Sequence, residues 1–453
     1  MKMIIRKSKG QIIALVAISL VVLLAIIGLA IDIGIAYGVK AKLNAAVDAA
    51  AIAACRAKSS GASNTDASAA ATNLFHANFP DGYMGATGAN GAPVSDPTTD
   101  ITIVNGAWVV KVTGSAVPRT YFSRVLGWKN FTVKSEAEAT KPALDLALVL
   151  DTTSSMSGVF STVKLRAKDF INKFNETTDR VALVPFATGV GFNSSGNLRD
   201  GVEIKTSGMG FNKQTVNSAI DNLTVGGNTA SEIGMRVAID QLNKVSVPAG
   251  RRVIVFFSDG APNTFTGIFP LKSGTASGNL FSETWNPGPP HTLFHPDLTI
   301  DGSPTNLGST LDHVPLEGGG NIMGGKTVPK VSVTGKRSLY NYNYNNPQGL
   351  KCDANKAARN MFENIAANAR SQGIVVYSLG LGSLLDDPNG DITHDCETWQ
   401  EMGSTIMKRV ANTKDSDTYN STQPTGLYCH ALTIDELGPC FDAIAKAILH
   451  LSK

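Results

Sequence analysis

The sequence predicts an α/β protein: a doubly wound, mainly parallel sheet with helices on both faces, preceded by a transmembrane helix, a helical stalk and a small α+β spacer. Three observations carry that expectation. Twenty residues without a charge, Ile12 to Ile31, lie near the N-terminus. From Pro142 onward, apolar runs of strand length alternate with helical patterns. Carboxylates and hydroxyls recur directly after those runs. The 453 residues suffice for two to four folded units at about 150 per domain. A net charge of +3, with only 17% charged residues, argues against a nucleic-acid binder. Mean hydropathy is +0.01 at an ordinary 43% hydrophobic content, which one unusually apolar segment explains.

Residues 1–10 read as a cytoplasmic tail and 11–36 as the membrane span, since twenty residues at 1.5 Å each cross about 30 Å of hydrocarbon. Lys2, Arg6, Lys7 and Lys9 crowd the short flank, which places that end in the cytoplasm and the rest of the chain outside. The run exceeds the about 7–15 residues of a signal-peptide core, so a retained anchor is expected. Beyond it Tyr37, Leu43, Val47, Ala50 and Ala54 recur at helical spacing, and 37–58 reads as a stalk with small-residue faces suited to close packing. Asp32, at the outer end of the span, has two readings: interfacial placement or a contact with a partner. Cys55, in that alanine-rich helix, reads as a small packing residue.

Gly10-Gln11, the apolar span and GLAIDIGIAYGVKAKLNAAVDAAAIAA resemble the TadE/TadG-like family of Tad (Flp) pilus assembly proteins over about fifty residues. Prepilin-like members carry a glutamate five residues beyond the processing glycine. Here that position is Leu15, so the resemblance does not extend to pilin-type cleavage.

Residues 59–140 read as the spacer: a polar helix around Thr65 to Ala77, a Gly- and Pro-rich loop, then strands at Ile101–Val104 and Trp108–Val112 flanking an Asn105-Gly106 hairpin turn. A third, half-exposed strand follows, with Phe131, Val133, Ser135, Ala137 and Ala139 alternating with Thr132, Lys134, Glu136 and Glu138.

Residues 141–453 form the α/β domain. Leu144–Leu150, Val181–Phe186, Val253–Phe257 and Ile374–Leu379 supply strands. Val163, Ala167, Phe170, Ile171 and Phe174 mark one helix face, and Leu437, Phe441, Ile444, Ala445 and Ile448 mark the terminal helix. The stretch from about 261 to 351 is rich in Gly, Pro, Asn and Ser. It is expected to be an irregular insertion, with Gly318–Gly325 and Tyr340–Pro347 outside regular structure and a helix beginning near Asp353. A recognition loop and tolerated surface are equal readings of it.

In an open parallel sheet, ligands bind beyond the carboxyl ends of the strands. After the first strand comes Asp151-Thr152-Thr153-Ser154-Ser155; after the third, Ser258-Asp259-Gly260; between them, Gly226-Gly227-Asn228-Thr229 precedes a helix. Any one of these motifs is a common helix cap; the three in order are more specific. Carboxylates with hydroxyls are hard oxygen donors suited to Mg²⁺ or Mn²⁺, and less ideally to Ca²⁺. The arrangement resembles the von Willebrand factor A fold and its metal-ion-dependent adhesion site. That resemblance implies metal ligation by Asp151, Thr153, Ser155, Thr229 and Asp259, with Thr153 standing where the family usually has Ser. It also implies a protein partner whose acidic side chain completes the metal's shell.

Cys352, Cys396, Cys429 and Cys440 form an even set suited to an oxidising compartment, with Cys352–Cys396 and Cys429–Cys440 favoured among three connectivities and free buried thiols as the alternative. His291 and His295 sit in a proline-rich loop that lacks the helical geometry of a zinc pair. Serines near the site lack a G-x-S-x-G elbow or an assignable base, so no enzyme is expected. The two resemblances together imply a bacterial inner-membrane, single-pass protein with its C-terminal domain exported to the periplasm or cell surface. It would bind pilus assembly or envelope proteins in a metal-dependent way, in Tad pilus assembly or surface adhesion. The alternative is a scaffold on the cytoplasmic side presenting substrates to an ATPase.

Overall fold

The computed structural model describes residues 9–59, 62–104, 107–124, 127, 131–193, 195–281, 293–294, 304–305, 311–323, 326–343, 345–386 and 401–450. The chain divides between Lys141 and Pro142 into two compact units.

In the first unit, the tail's end, the span and the stalk form one continuous helix, α1 (Lys9–Ser59). Its first part presents exposed apolar side chains from Ile13 to Ile27. It is the one helix among the described residues long and apolar enough to cross a membrane. From Val39 onward a face of small and branched residues is buried: Val39, Leu43, Ala46, Val47, Ala50 and Ala54. That face packs on α2 (Asn64–Asn78) and on the antiparallel sheet β1 (Thr98–Val104), β2 (Ala107–Ala116) and β3 (Val133–Lys141), around Ala71, Phe75, Val110 and Val112. The stalk is therefore the core helix of this unit. Gly114 permits the close approach, because a Cβ there would lie 2.8 Å from the Phe75 ring and 3.1 Å from Val47. Ser63 caps α2 by accepting from the Asp66 amide at 3.1 Å. β1 and β2 pair as the hairpin pattern predicts, down to Val104 opposite Ala107, while Asn105 and Gly106 lie outside the described residues. Along β3, Glu136 and Glu138 face solvent and Ser135 is buried, following the period of two.

The second unit is the expected doubly wound sheet. Its strands are β4 (Leu144–Asp151), β5 (Arg180–Phe186), β6 (Arg251–Ser258), β13 (Val375–Leu381) and β14 (Tyr428–Ala431), all parallel, in the order β14-β13-β6-β4-β5. β4 is buried on both faces. Leu144, Leu146, Leu148 and Leu150 point into a core under α3 (Phe160–Ile171), α4 (Lys213–Asn222) and α8 (Leu437–His450). Ala147 and Val149 point to the other core, under α5 (Ser231–Asn243), α6 (Pro347–Ser371) and α7 (Gly403–Ala411). The chain leaves β4 for β5 on one side and returns to β6 on the other, so the direction of winding reverses beside β4 and opens a crevice between the ends of β4 and β6.

The insertion departs from its expected irregularity. β7 (Thr264–Pro270), β8 (Thr275–Phe281), β9 (Leu293–Phe294) and β10 (Pro304–Thr305) form an antiparallel sheet, and β11 (Glu317–Met323) pairs with β12 (Lys326–Ser332) as a hairpin. Gly318 to Met323 thus belong to a strand rather than to irregular punctuation. Phe265, Phe269, Leu280, Val314 and Val328 join the core beneath α5 and α6. Buried Glu232 on α5 fixes the insertion, accepting from the Thr266 amide at 2.7 Å and from Arg236 Nε at 2.7 Å. α6 begins six residues before Asp353, at Pro347, because Asn346 caps it by accepting from the Gly349 amide at 2.9 Å and proline fits the first turn. The described part of Tyr340–Asn346 is irregular, as its composition predicts.

Candidate metal centre

β4 ends at Asp151 and β6 at Ser258, neighbours in the sheet, so the first and third motifs meet at the crevice. Asp151 is fully buried. Its Oδ1 accepts from the Thr153 amide at 2.8 Å and its Oδ2 from the Ser258 hydroxyl at 2.5 Å. Burial pushes the Asp151 carboxyl up to about 6, against the lowering effect of hydrogen bonds from Ser258, Thr153 and the Asp259 amide. A nearby cation favours the charged form of such a carboxylate.

From Thr153 a chain of oxygens runs outward. Thr153 Oγ1 lies 2.9 Å from Ser155 Oγ, and Ser155 Oγ donates to Asp259 Oδ1 at 2.9 Å. Thr153 is buried, Asp259 half-buried and Ser155 exposed, so the series leads from the sheet interior to solvent. The threonine methyl does not prevent its hydroxyl from joining that series.

The Gly226–Thr229 loop is tied to both other motifs through its backbone. The Gly226 amide donates to the Thr152 carbonyl at 2.9 Å. The Ser154 amide and hydroxyl both donate to the Gly227 carbonyl, at 3.2 and 3.0 Å, where Gly227 has φ +78° and needs the freedom of glycine. The Thr229 amide donates to Asn263 Oδ1 at 3.0 Å, and the Asn263 amide returns a bond to the Thr229 carbonyl at 3.1 Å. Thr229 itself is only 7% exposed.

Side-chain bonds thus link Asp151, Thr153, Ser155 and Asp259 to one another or through adjacent backbone, while Thr229 is held beside them by its loop. The donor set, two carboxylates and three hydroxyls, fits a hard divalent cation. Among the described residues no group of three or more His, Cys, Asp or Glu side chains gathers as a conventional metal cluster, so a cation here depends on hydroxyl oxygens. Ser258, which stands in the third motif without an assigned role, and Asn263, outside the motifs, are positioning residues. Their partners lie 107 and 34 positions away, across strand neighbours the linear pattern does not specify.

The hydroxyls of Ser154, Ser155 and Ser258 donate to Gly227, Asp259 and Asp151, and the described histidine contacts are made elsewhere: His76 with Asp96, His313 with Asp312, His430 with Asp386. His291 and His295 lie outside the described residues. Cys429 and Cys440 form a disulfide joining β14 to α8. Cys352 is also disulfide-bonded, Cys396 lies outside the described residues, and Cys55 is a buried thiol.

Residues 145–273 match the family model of the von Willebrand factor type A domain, and residues 10–71 match the Flp pilus-assembly TadE/G-like model. A comparison with curated proteins finds no match. Similar solved structures include the pilus adhesin SpaC from Lactobacillus rhamnosus GG, at 15% identity and a TM-score of 0.38 over 81% of this chain and 36% of that one. The vWF domain of the type V pili tip protein Mfa5 from Porphyromonas gingivalis matches at 15% identity and 0.37, over 70% of this chain and 98% of that one. The PilB minor pilin from Streptococcus sanguinis matches at 13% and 0.37, over 82% and 79%. The chain spans about a third of the length of the SpaC structure. With its sheet, crevice and long apolar helix, the chain joins a TadE/G-like N-terminal segment to a von Willebrand factor type A domain.

Proposed function

We propose that the protein is a membrane-anchored, metal-dependent protein-binding module that works in Tad pilus assembly or in surface adhesion, and that it binds rather than catalyses. One observation carries this reading: Asp151, at the end of β4, and Asp259, just past β6, are linked through the Thr153 amide and the hydroxyls of Thr153 and Ser155 at the winding reversal of the sheet. In that position Asp151, Thr153, Ser155, Thr229 and Asp259 would hold Mg²⁺, or alternatively Mn²⁺ or Ca²⁺. The ion would supply an open coordination position to an acidic side chain of the partner. Exposed Ser155 and half-buried Asp259 give such a partner access.

Anchoring rests on the exposed apolar helix preceded by a basic flank, which favours a cytoplasmic N-terminus and an exported domain in the bacterial inner membrane. The disulfides of the second unit favour the oxidising side over a cytoplasmic scaffold serving an ATPase. The test is capture of envelope proteins by the full-length chain in Mg²⁺, in EDTA and with Asp151→Ala. Retention of a pilus component only with Mg²⁺ and intact Asp151 is expected. Equal capture in all three conditions contradicts the reading.

A further inference from the structure

Asp32 lies in α1 just past the apolar run and is only 2% exposed. An ionised carboxylate at such a place needs donors, and the connection between β2 and β3 supplies four. The amides of Tyr121 and Phe122 donate at 2.9 Å each, and the Ser123 amide and hydroxyl at 2.6 Å each. One turn earlier on the same helix face, Gly28 is buried against the Phe122 ring, in space that any side chain at position 28 would occupy. Gly28 belongs to the uncharged run, about 6 Å along the axis from Asp32 on the side toward its middle. The loop thus reaches down beside the span's last turn.

What the loop shows to solvent is unusual for a soluble surface. Tyr121 is 50% and Phe122 44% exposed, and the Phe122 ring lies against Gly28, next in the chain to the exposed apolar residues Ile13 to Ile27. Arg119 lies over the Tyr121 ring at 5.1 Å, and both Arg119 and Arg124 are exposed. Amphipathic aromatics flanked by arginines, at the end of an apolar helix, have the composition of a membrane–water interface. Rings sit there at headgroup depth and guanidinium groups pair with phosphate.

We propose that residues 119–124 form an interfacial collar that rests in the outer leaflet of the bilayer, and that Asp32 tethers this collar to the span. The partner is the lipid surface itself: ring faces against the upper acyl chains, arginines against phosphates. The proposal rests on the anchor reading above.

The full chain is reconstituted into phosphatidylcholine–phosphatidylglycerol vesicles with an NBD fluorophore on Tyr121→Cys or, separately, on Leu20→Cys. The unsubstituted chain, whose Cys55 thiol is buried, serves as the blank. Quenching by spin-labelled lipid, with the label near the headgroup or near the chain end, is compared with quenching by aqueous iodide. The label at 121 is expected to lose about half its emission to the headgroup-proximal quencher and little to iodide, and the label at 20 to respond to the chain-end quencher. Adding Asp32→Ala, which removes the acceptor of all four bonds, should at least halve lipid quenching at 121 and leave position 20 unchanged. A lipid-quenched position 20 with an iodide-quenched position 121 overturns the collar and leaves the anchor standing. Iodide quenching at both positions overturns both readings, and undiminished lipid quenching at 121 in the Asp32→Ala chain overturns the tether.

Discussion

The Ser258 hydroxyl donates to the buried carboxylate of Asp151 at 2.5 Å, joining residues 107 positions apart that the pairing of β4 with β6 makes neighbours. The bond holds the carboxylate's inner oxygen toward the sheet while Thr153 holds the other. Ser258→Ala removes a hydrogen bond to a charged group, worth about 1.5–3 kcal/mol. Groups that orient a metal ligand typically contribute about 10–100-fold to affinity. A drop of that order in Mg²⁺ affinity is expected by calorimetric titration, with circular dichroism unchanged.

At the opposite end of the same strand, Asp145 makes a bidentate pair with Arg180, at 2.6 and 3.0 Å, both side chains fully buried. Arg180 also donates to the Gly208 and Val247 carbonyls, and the Ala249 amide donates to Asp145. Asp145→Ala leaves an uncompensated buried guanidinium and should cost about 3–5 kcal/mol of stability. Because the pair lies away from the carboxyl edge, Mg²⁺ affinity of the folded fraction should stay at the wild-type value. Urea denaturation and Mg²⁺ titration of the same variant separate the two effects.

Glu401 sits among Arg337, Arg359 and Arg409, with Arg337 Nε at 2.6 Å. Burial acts to raise its pKa, but the arginines prevail and hold it below its ordinary value of 4.5. A depressed carboxylate contributes stability that is complete above the unfolded value and is lost as pH falls through the folded one. Between pH 6 and 3.5 the wild type should therefore lose melting temperature more steeply than Glu401→Gln, whose side chain does not titrate. Parallel slopes would remove Glu401 from the cause of acid sensitivity.

The Cys429–Cys440 bridge closes a short loop between β14 and the terminal helix. For a separation of 11 residues, loop-closure entropy gives about 2–3 kcal/mol. The Cys429→Ser, Cys440→Ser double variant should show that loss in chemical denaturation under oxidising conditions and match the wild type once both are reduced.

β4, β5, β6 and β13 were legible because parallel strands buried on both faces read as unbroken apolar runs. The insertion hid its strands for the opposite reason. Around Gly318–Gly320 the β11–β12 register shifts, and Gly319 and Gly320 take φ of +102° and +109°, so a bulged glycine hairpin carries no alternating side chains to read. β14 escaped notice because it has only four residues, Tyr428–Ala431. Asp151, Thr153, Ser155, Thr229 and Asp259 could be picked out because each stands just past a strand or just before a helix. Ser258 and Asn263 could not be given roles, since their partners depend on strand order. Asp32 had two readings in the sequence, and its contact proved to be a loop of its own unit, 89 to 91 residues away.

The central claim is that the carboxyl edge of the sheet holds a divalent cation through Asp151. Isothermal titration of Mg²⁺ into the full-length chain, wild type against the nearly isosteric Asp151→Asn, tests it most directly. A single saturable binding event in the wild type, absent from a folded Asp151→Asn, is the predicted result. Equal Mg²⁺ binding by the two chains, or none by a folded wild type, would contradict the account.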